Sequence, residues 1–481
     1  MSQVKNFIDG KVQEPHSKSY KPILAPATGE ILGEAAISDS DDVEEAYRAA
    51  HQAQPAWSAL GVSERAKFLK SWSKNLRENV DELSLMDAKD SGTPRRTMRA
   101  GVLKGADAVD FFCGLGPELK GETFPVTPSG LHFTRREPYG VVGSIIPFNH
   151  PSLFALSKTA AALVAGNTVV LKPAEQTPMT AELIARLSEG HLPPGVFNVV
   201  QGEAAAGDAL VRHPNIWRLQ FTGGVKTGLS VLRASAESGR AKHVGLEMGG
   251  KNPLIAFPDA DLETVADAVV TGMNFTRNQG QSCGSTSRLF VHKDVVREMT
   301  EAVLDRVKRI KLGLPEEEQT EMGSLVSSAH QERVLGFIGI GREEGARICC
   351  GGGPPEGSLS SGAYVLPTVL DKVDPSMKVA QEEIFGPVLS IISWEDEDSM
   401  FEAVNGVLYG LTAAIYSNDI NTALRAAAKV ESGYVWVNGV EMRWIGVPFG
   451  GYKNSGIGTE YSLEELFSYT RSKTVNVIVP S

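Results

Sequence analysis

The chain has 481 residues, of which 42% are hydrophobic and 22% charged, with 47 basic and 58 acidic side chains and a formal net charge of −11. At about 100–200 residues per domain this length predicts about two to four domains with ample apolar material for their cores. The acidity argues against nucleic-acid binding, which needs basic patches, and no apolar run reaches the roughly 18–20 residues of a membrane span. The N-terminal "MSQVKNFIDGK" lacks a basic run leading into an apolar one, so no signal peptide is expected. Four cysteines make no disulfide framework, and the nine histidines form no Cys/His set with zinc spacing, so no metal is expected. A reducing, cytoplasmic location follows as the expectation.

After a short strand-like entry, the first hundred residues read as helical. "SDSDDVEEAYRAAHQAQPAW" opens with Ser40 and Asp41 as cap residues, and Val43, Ala46, Ala50 and Ala53 recur at helical spacing. "SERAKFLKSWSKNLRENVDELSLMDAKDSG" predicts two more helices, closed by Gly92. From about residue 131 the pattern changes. "LHFTRREPYGVVGSIIPFNHP" predicts a strand pair or a strand-turn-strand, and strands "GNTVVLKPA", "GVFNVVQG" and "IWRLQFTGG" then alternate with helices up to "VKTGLSVLRASAESGR". Such alternation implies βαβ units and a parallel sheet, whose ligands bind at the carboxyl ends of the strands. "KHVGLEMGGKNPLIAF" predicts a two-strand element about Gly249–Gly250, with a domain boundary near 248 and a second α/β stretch running to about 440. Cys349 and Cys350, in "GARICCGGG", read as the structural end of a buried strand. "FSYTRSKTVNVIVPS" ends in an alternating strand whose partner must be distant in sequence, or in another subunit.

Cys283 stands out. In "NQGQSCGSTSR" it lies between Gly280 and Gly284 with nothing apolar beside it, whereas a free cysteine usually packs as a small hydrophobe. It is either an inconsequential loop cysteine or a nucleophile. A nucleophilic thiol acting on a carbonyl needs an oxyanion donor and a means of resolving the covalent intermediate. "GLEMGGKNP" puts Glu247 at a strand end, where it is either a cavity-facing general base or a solvated edge residue. "IIPFNHP" fixes Asn149 between two prolines, as an amide donor or as a turn residue. For a phosphate-bearing cofactor, "GIGREEG" (339–345) has the wrong spacing and no preceding strand. "QFTGGVKTG" does follow a strand and open a helix, so Gly223 and Gly224 suit a pyrophosphate at a helix N-terminus. In "LKPAEQTP", Lys172 and Glu175 lie where a ribose could bind, and Glu175 would repel a 2′-phosphate.

Taken together, "PFNHP", "LKPAEQTP", "FTGGVKTG", "LEMGGKNP", "GQSCGS", "EEIFGPV" and "PFGGYKNSGIG" resemble, in order and over nearly the whole chain, the NAD(P)-dependent aldehyde dehydrogenase superfamily. The resemblance implies a fold with an unusual Rossmann-type NAD-binding domain (1–118 and 139–248), an α/β catalytic domain (249–466) and a small β oligomerisation extension (119–138 and 467–481) that joins homodimers or homotetramers. It implies Cys283 as nucleophile, Asn149 as oxyanion donor, Glu247 as the base that activates water, and Lys158 in proton movement. Lys172, Glu175, Gly223, Gly224, Ile146, Phe148, Glu383 and Phe385 fall at its cofactor positions. The cofactor implied is NAD, with NADP as the alternative. Cys283 would sit in a loop that swings its thiol between cofactor and substrate.

Three positions depart from the family's commoner residues. Phe148 stands where Trp is frequent, His150 where Phe or Tyr is, and Gly224 where Ser is, which removes a hydroxyl able to touch phosphate. His150, Phe154, Arg443, Trp444 and Phe449 fall at the substrate pocket. Their mixture suits an aromatic or medium aliphatic aldehyde, while Arg443 is either solvated or recruits the carboxylate of a semialdehyde. Rival readings are a CoA-acylating aldehyde dehydrogenase, against which Glu247 argues, an NAD-binding thiol esterase, and a non-catalytic protein of the same fold.

Overall fold

The computed structural model describes residues 2–127 and 130–478. Two large sheets organise it. The first has eight strands in the order Gly456–Ile457, His243–Glu247, Arg218–Thr222, Val141–Ile145, Thr168–Lys172, Phe197–Val199, Asn6–Ile8 and Lys11–Gln13. Its five central strands are parallel, and their residues are almost all buried. Burial on both faces explains why they read as apolar runs rather than alternating ones. The chain runs outward from Val141–Ile145 to Phe197–Val199, then returns to the other side of Val141–Ile145 with Arg218–Thr222. The strand order therefore reverses beside Val141–Ile145, which opens a crevice at the carboxyl ends there.

The second sheet has seven strands, Arg347–Cys350, Thr368–Asp371, Val388–Trp394, Arg288–His292, Pro253–Ala256, Thr412–Tyr416 and Tyr434–Val437, parallel except for the first. The two strands expected about Gly249–Gly250 both form, in different sheets. His243–Glu247 belongs to the first sheet and Pro253–Ala256 to the second, so this turn carries the chain from one sheet to the other. Of the strand pair or strand-turn-strand expected from 131 onward, the second is observed, because Gly130–Pro138 joins a small antiparallel sheet and does not pair with Val141–Ile145.

That small sheet supplies the partner of the terminal strand. Thr470–Ile478 pairs with Gly130–Pro138 over nine consecutive positions, from Thr470 opposite Pro138 to Ile478 opposite Gly130, within one chain. The sequence-distant alternative is the one observed. Residues 128–129 and 479–481 of the expected extension lie outside the described residues.

Other expectations shift in detail. The first long helix, Ser40–Ala59, is capped by Asp39 rather than by Ser40 or Asp41. Asp39 accepts from the Asp41 and Asp42 amides, and Asp42 returns a bond to the Asp39 amide, a reciprocal capping box. Gly92 does close the helix Val80–Ser91, in the left-handed conformation at φ 77°. Cys349 and Cys350 lie in an edge strand and are half-buried, so the expected buried strand is a sheet margin. "GIGREEG" lies largely within the helix Ser328–Glu343 and forms no phosphate loop. Among the described residues no helix is long and apolar enough to cross a membrane.

Candidate active site

Three parallel strands of the first sheet deliver residues to one point. Val141–Ile145 runs into Pro147, Phe148 and Asn149, just before the helix Pro151–Val164. Arg218–Thr222 runs into Gly223 and Gly224, and His243–Glu247 ends on Glu247 itself. With Cys283, Glu383 and Phe385 from the second sheet's side, these residues line a cleft of about 270 Å³. The reversal of strand order thus explains why segments a hundred residues apart meet here.

Cys283 lies in the turn between the short helix Phe275–Asn278 and the strand Arg288–His292. Gln279 and Gly280 are both left-handed, at φ 59° and 70°. A side chain at Gly280 would also run into the Gly386 carbonyl, so glycine is required there on both counts. Three carbonyls of the turn are held by amide side chains. Asn149 and Asn278 donate to Gln281 O at 2.8 and 2.9 Å, and Asn252 donates to Cys283 O at 2.7 Å and Ser285 O at 2.9 Å. The loop expected to swing is therefore pinned along its backbone, which leaves rotation of the Cys283 side chain to move the thiol. Asn149 is 4% exposed; one of its amide hydrogens is given to Gln281, and a second remains for another acceptor.

Burial dominates the electrostatics. Glu247 is 5% exposed, and burial pushes its carboxyl up to about 8, opposed by Lys158 and Arg443 and reinforced by Glu465. Lys158, on the helix Pro151–Val164, forms a buried ion pair with Glu460. Burial lowers its ammonium's pKa while Glu247, Glu465 and Cys283 hold it up. The half-buried Cys283 thiol is pushed up by lost hydration, against the pull of Arg443 and Lys158. Glu383 accepts from the Gly250 amide at 3.0 Å, and burial moves it up to about 7. His150 is pushed down to about 3 by burial and by Arg277, Arg443 and Lys104, so it is neutral at pH 7.

The cofactor candidates divide between two clefts. Phe148, Gly223, Gly224, Glu383 and Phe385 line the first. Phe148 meets the Phe385 ring edge-on at 5.6 Å, and Phe385 is held left-handed at φ 60°. Lys172 and Glu175 line a second cleft of about 440 Å³ at the carboxyl ends of the same sheet. Gly224 caps the helix Val225–Glu237 and has open space where a side chain would project, so that helix's N-terminal amides face an unobstructed approach. Ile146 does not line either cleft. Its side chain lies in the core, and the neighbouring Ile145 lines the second cleft.

The substrate candidates also divide. Phe154 lines the first cleft, whereas His150 is buried behind it and shares a hydrogen bond of 3.2 Å with the Asn278 amide. Phe449 is core, Trp444 is 54% exposed, and the Arg443 guanidinium stacks on Phe449 at 4.4 Å. Sequence reasoning missed Asn252, Glu460, Glu465, His330 and Arg333. His330 and Arg333 line the first cleft from the helix Ser328–Glu343. Asn252 was visible in "GGKNP", but its importance lies in reaching a loop some thirty residues away.

The sequence model of the Aldehyde dehydrogenase family matches residues 12–475. Aldehyde dehydrogenase tropH of Talaromyces stipitatus is 42% identical over 483 residues, covering 98% of this chain and 92% of its own length. A solved NAD+ complex of an aldehyde dehydrogenase from Bacillus cereus is 36% identical with a TM-score of 0.96, over 100% of this chain and 97% of its own. HpcC from Thermus thermophilus is 38% identical with a TM-score of 0.96, over 100% and 94%.

Proposed function

The chain belongs to the aldehyde dehydrogenase family, and from that premise we propose that it oxidises an aldehyde to its carboxylic acid with NAD through a covalent intermediate on Cys283. The observation that carries this reading is the convergence of Cys283, Glu247 and Asn149 on one cleft, beside an unobstructed helix N-terminus. The Cys283 thiolate attacks the carbonyl carbon, and the free amide hydrogen of Asn149 stabilises the oxyanion. NAD bound there would supply the acceptor for the hydride whose loss from the carbon turns this thiohemiacetal into a thioester. Glu247 then takes a proton from water, which attacks the thioester and releases the acid. Lys158 biases Glu247 towards its ionised form.

The residues present fit the cofactor. Gly224 opens a thirteen-residue helix towards a pyrophosphate, Lys172 and Glu175 suit the adenine ribose, and Glu383 and Phe385 suit the nicotinamide end. We read 1–118 with 139–248 as the cofactor-binding domain, 249–466 as the catalytic domain, and 119–138 with 467–481 as an oligomerisation extension. Sheet membership supports this division, and the strand Gly456–Ile457 ties the catalytic segment back onto His243–Glu247. Exposed apolar residues on the small sheet, Leu131 and Ile478 among them, support a homodimer or homotetramer. Phe154, in the first cleft, favours an aromatic or medium aliphatic aldehyde.

NADH formation over a panel of aromatic and aliphatic aldehydes tests the reading. Turnover should vanish in Cys283→Ala. Turnover that survives in that variant would overturn the mechanism. Free acid should form with or without CoA, and product that appears only as the CoA thioester would replace it with acyl transfer.

A further inference from the structure

Asn149 and His150 are consecutive, and both reach the turn that carries Cys283. Asn149 does so directly, donating to Gln281 O at 2.8 Å. His150 does so through Asn278. The Asn278 amide nitrogen donates to Gln281 O at 2.9 Å and to His150 Nε2 at 3.2 Å, so both of its hydrogens are engaged. The Gln281 carbonyl, two residues before the nucleophile, thus receives a hydrogen on each of its lone pairs, one from Asn149 and one from Asn278. All four residues are buried, so water does not replace a lost partner. His150 is also the residue that opens the helix Pro151–Val164, which fixes where its ring begins. Its ring meets Phe154 edge-on at 6.1 Å, and it is Phe154 that lines the cleft.

The link constrains the imidazole. An amide nitrogen only donates, so Nε2 accepts and the ring proton sits on Nδ1. An imidazolium has no accepting nitrogen. Burial, with Arg277, Arg443 and Lys104, keeps the ring neutral and the acceptor in place. A phenyl ring fills similar space but offers no acceptor in its plane. It would leave one Asn278 hydrogen without a partner in the core, and the amide would gain by turning away from Gln281 O to find one. Gln281 O would then be held by Asn149 alone, and the direction of the second Asn149 hydrogen would change with it.

Resting on the reading that Cys283 oxidises an aldehyde with Asn149 as oxyanion donor, we propose that His150 is a positioning residue that aims the Asn149 amide at the oxyanion, through Asn278 and the Gln281 carbonyl. His150 touches neither aldehyde nor cofactor in this role. Its effect is on rate, is the same for every aldehyde, and depends on an accepting atom at the place of Nε2.

A double-mutant cycle tests this, with His150→Phe, Asn149→Ala and the two together, and with His150→Gln beside them. Propanal and benzaldehyde are the substrates, and kcat and KM are measured for each. His150→Phe should lower kcat by about tenfold for both aldehydes, a part of the roughly 10²–10³ that a whole oxyanion donor supplies, and should leave the KM for NAD unchanged. His150→Gln carries an amide oxygen able to accept from Asn278, so it should restore most of the rate. In the Asn149→Ala background, His150→Phe should cost nothing further, because the group it aims is gone. His150→Leu runs the same cycle if the phenyl variant does not fold. A purely structural role predicts the opposite pattern, a loss that adds to that of Asn149→Ala and that His150→Gln does not repair. That pattern overturns the proposal alone. So does a His150→Phe variant as fast as the wild type, or a loss confined to benzaldehyde, which would make the ring a wall of the substrate pocket. A wild type that oxidises neither aldehyde, or an Asn149→Ala variant with full activity, overturns the reading beneath the proposal as well.

Discussion

Asn252 donates its side-chain amide to the carbonyl of Cys283 at 2.7 Å, while its oxygen accepts from the Thr412 amide at 3.0 Å. One buried side chain thus ties the nucleophile's backbone to the second sheet. Asn252→Ala should leave two carbonyls and an amide without partners and cost about 1–3 kcal/mol of stability. A displaced thiol should also lower kcat by up to about 10²-fold. The alkylation rate of Cys283 by iodoacetamide separates the two effects. An unchanged kcat in folded Asn252→Ala would show that the turn holds its shape without this bond.

Glu247 titrates at about 8 because burial outweighs the help of Lys158. Its basic form is the working one, so kcat should be lost as pH falls below about 8 and should level off above it. The Cys283 thiol, also raised, serves acylation rather than the deacylation step of Glu247, so its titration belongs to an alkaline rise in kcat/KM and not to this limb of kcat. Glu247→Gln should lower kcat by about 10²–10⁴-fold, yet still release a first burst of NADH near one per site, because acylation precedes the step it serves. A variant with neither burst nor turnover would place Glu247 in acylation instead.

The residues that carry chemistry were more legible than those that position it. Cys283, Glu247 and Asn149 each break a local pattern, as a cysteine among polar residues, a carboxylate closing an apolar strand, and an amide pinned by prolines. Glu460 and Asn252 break none, and their roles depend on partners 302 and 31 residues away. Ile146 follows the strand Val141–Ile145 with its side chain in the core, whereas Ile145 faces the second cleft. Consecutive strand residues face opposite sides, and "II" does not say which faces the cleft. Both strands about Gly249–Gly250 form as expected, yet strand signals fix existence but not which sheet a strand joins. The terminal strand's partner likewise lay more than three hundred residues upstream.

Lys158 and Glu460 form an ion pair in which both side chains are nearly inaccessible, at 3% and 7%. Lys158→Met should leave Glu460 buried and uncompensated, at a cost of about 3–5 kcal/mol. Adding Glu460→Gln should recover much of that loss. The folded double variant also loses the charge that lowers the pKa of Glu247, so its kcat limb should move above pH 8. Thermal unfolding and the pH profile of kcat check both effects. A limb that stays in place would mean that Lys158 does not act on Glu247 during turnover.

Glu175 lies with Lys172 in the second cleft, where an adenine ribose would bind. A carboxylate there accepts a bond from a 2′-hydroxyl and repels a 2′-phosphate, so kcat/KM with NAD should exceed that with NADP by about tenfold or more. Glu175→Ser removes the repulsion and leaves Lys172 to attract the phosphate, so the ratio should narrow by a similar factor. Lys172 adds a pH dependence. Burial pushes its ammonium down to about 8, so its charge, and with it any attraction for the 2′-phosphate, is lost as pH rises through that value. The preference for NAD should therefore widen between pH 7 and 9. Initial rates with both cofactors at the two pH values decide it. A preference that narrows with pH would mean that Lys172 does not face the phosphate, and equal use of NADP would remove Glu175 from cofactor selection.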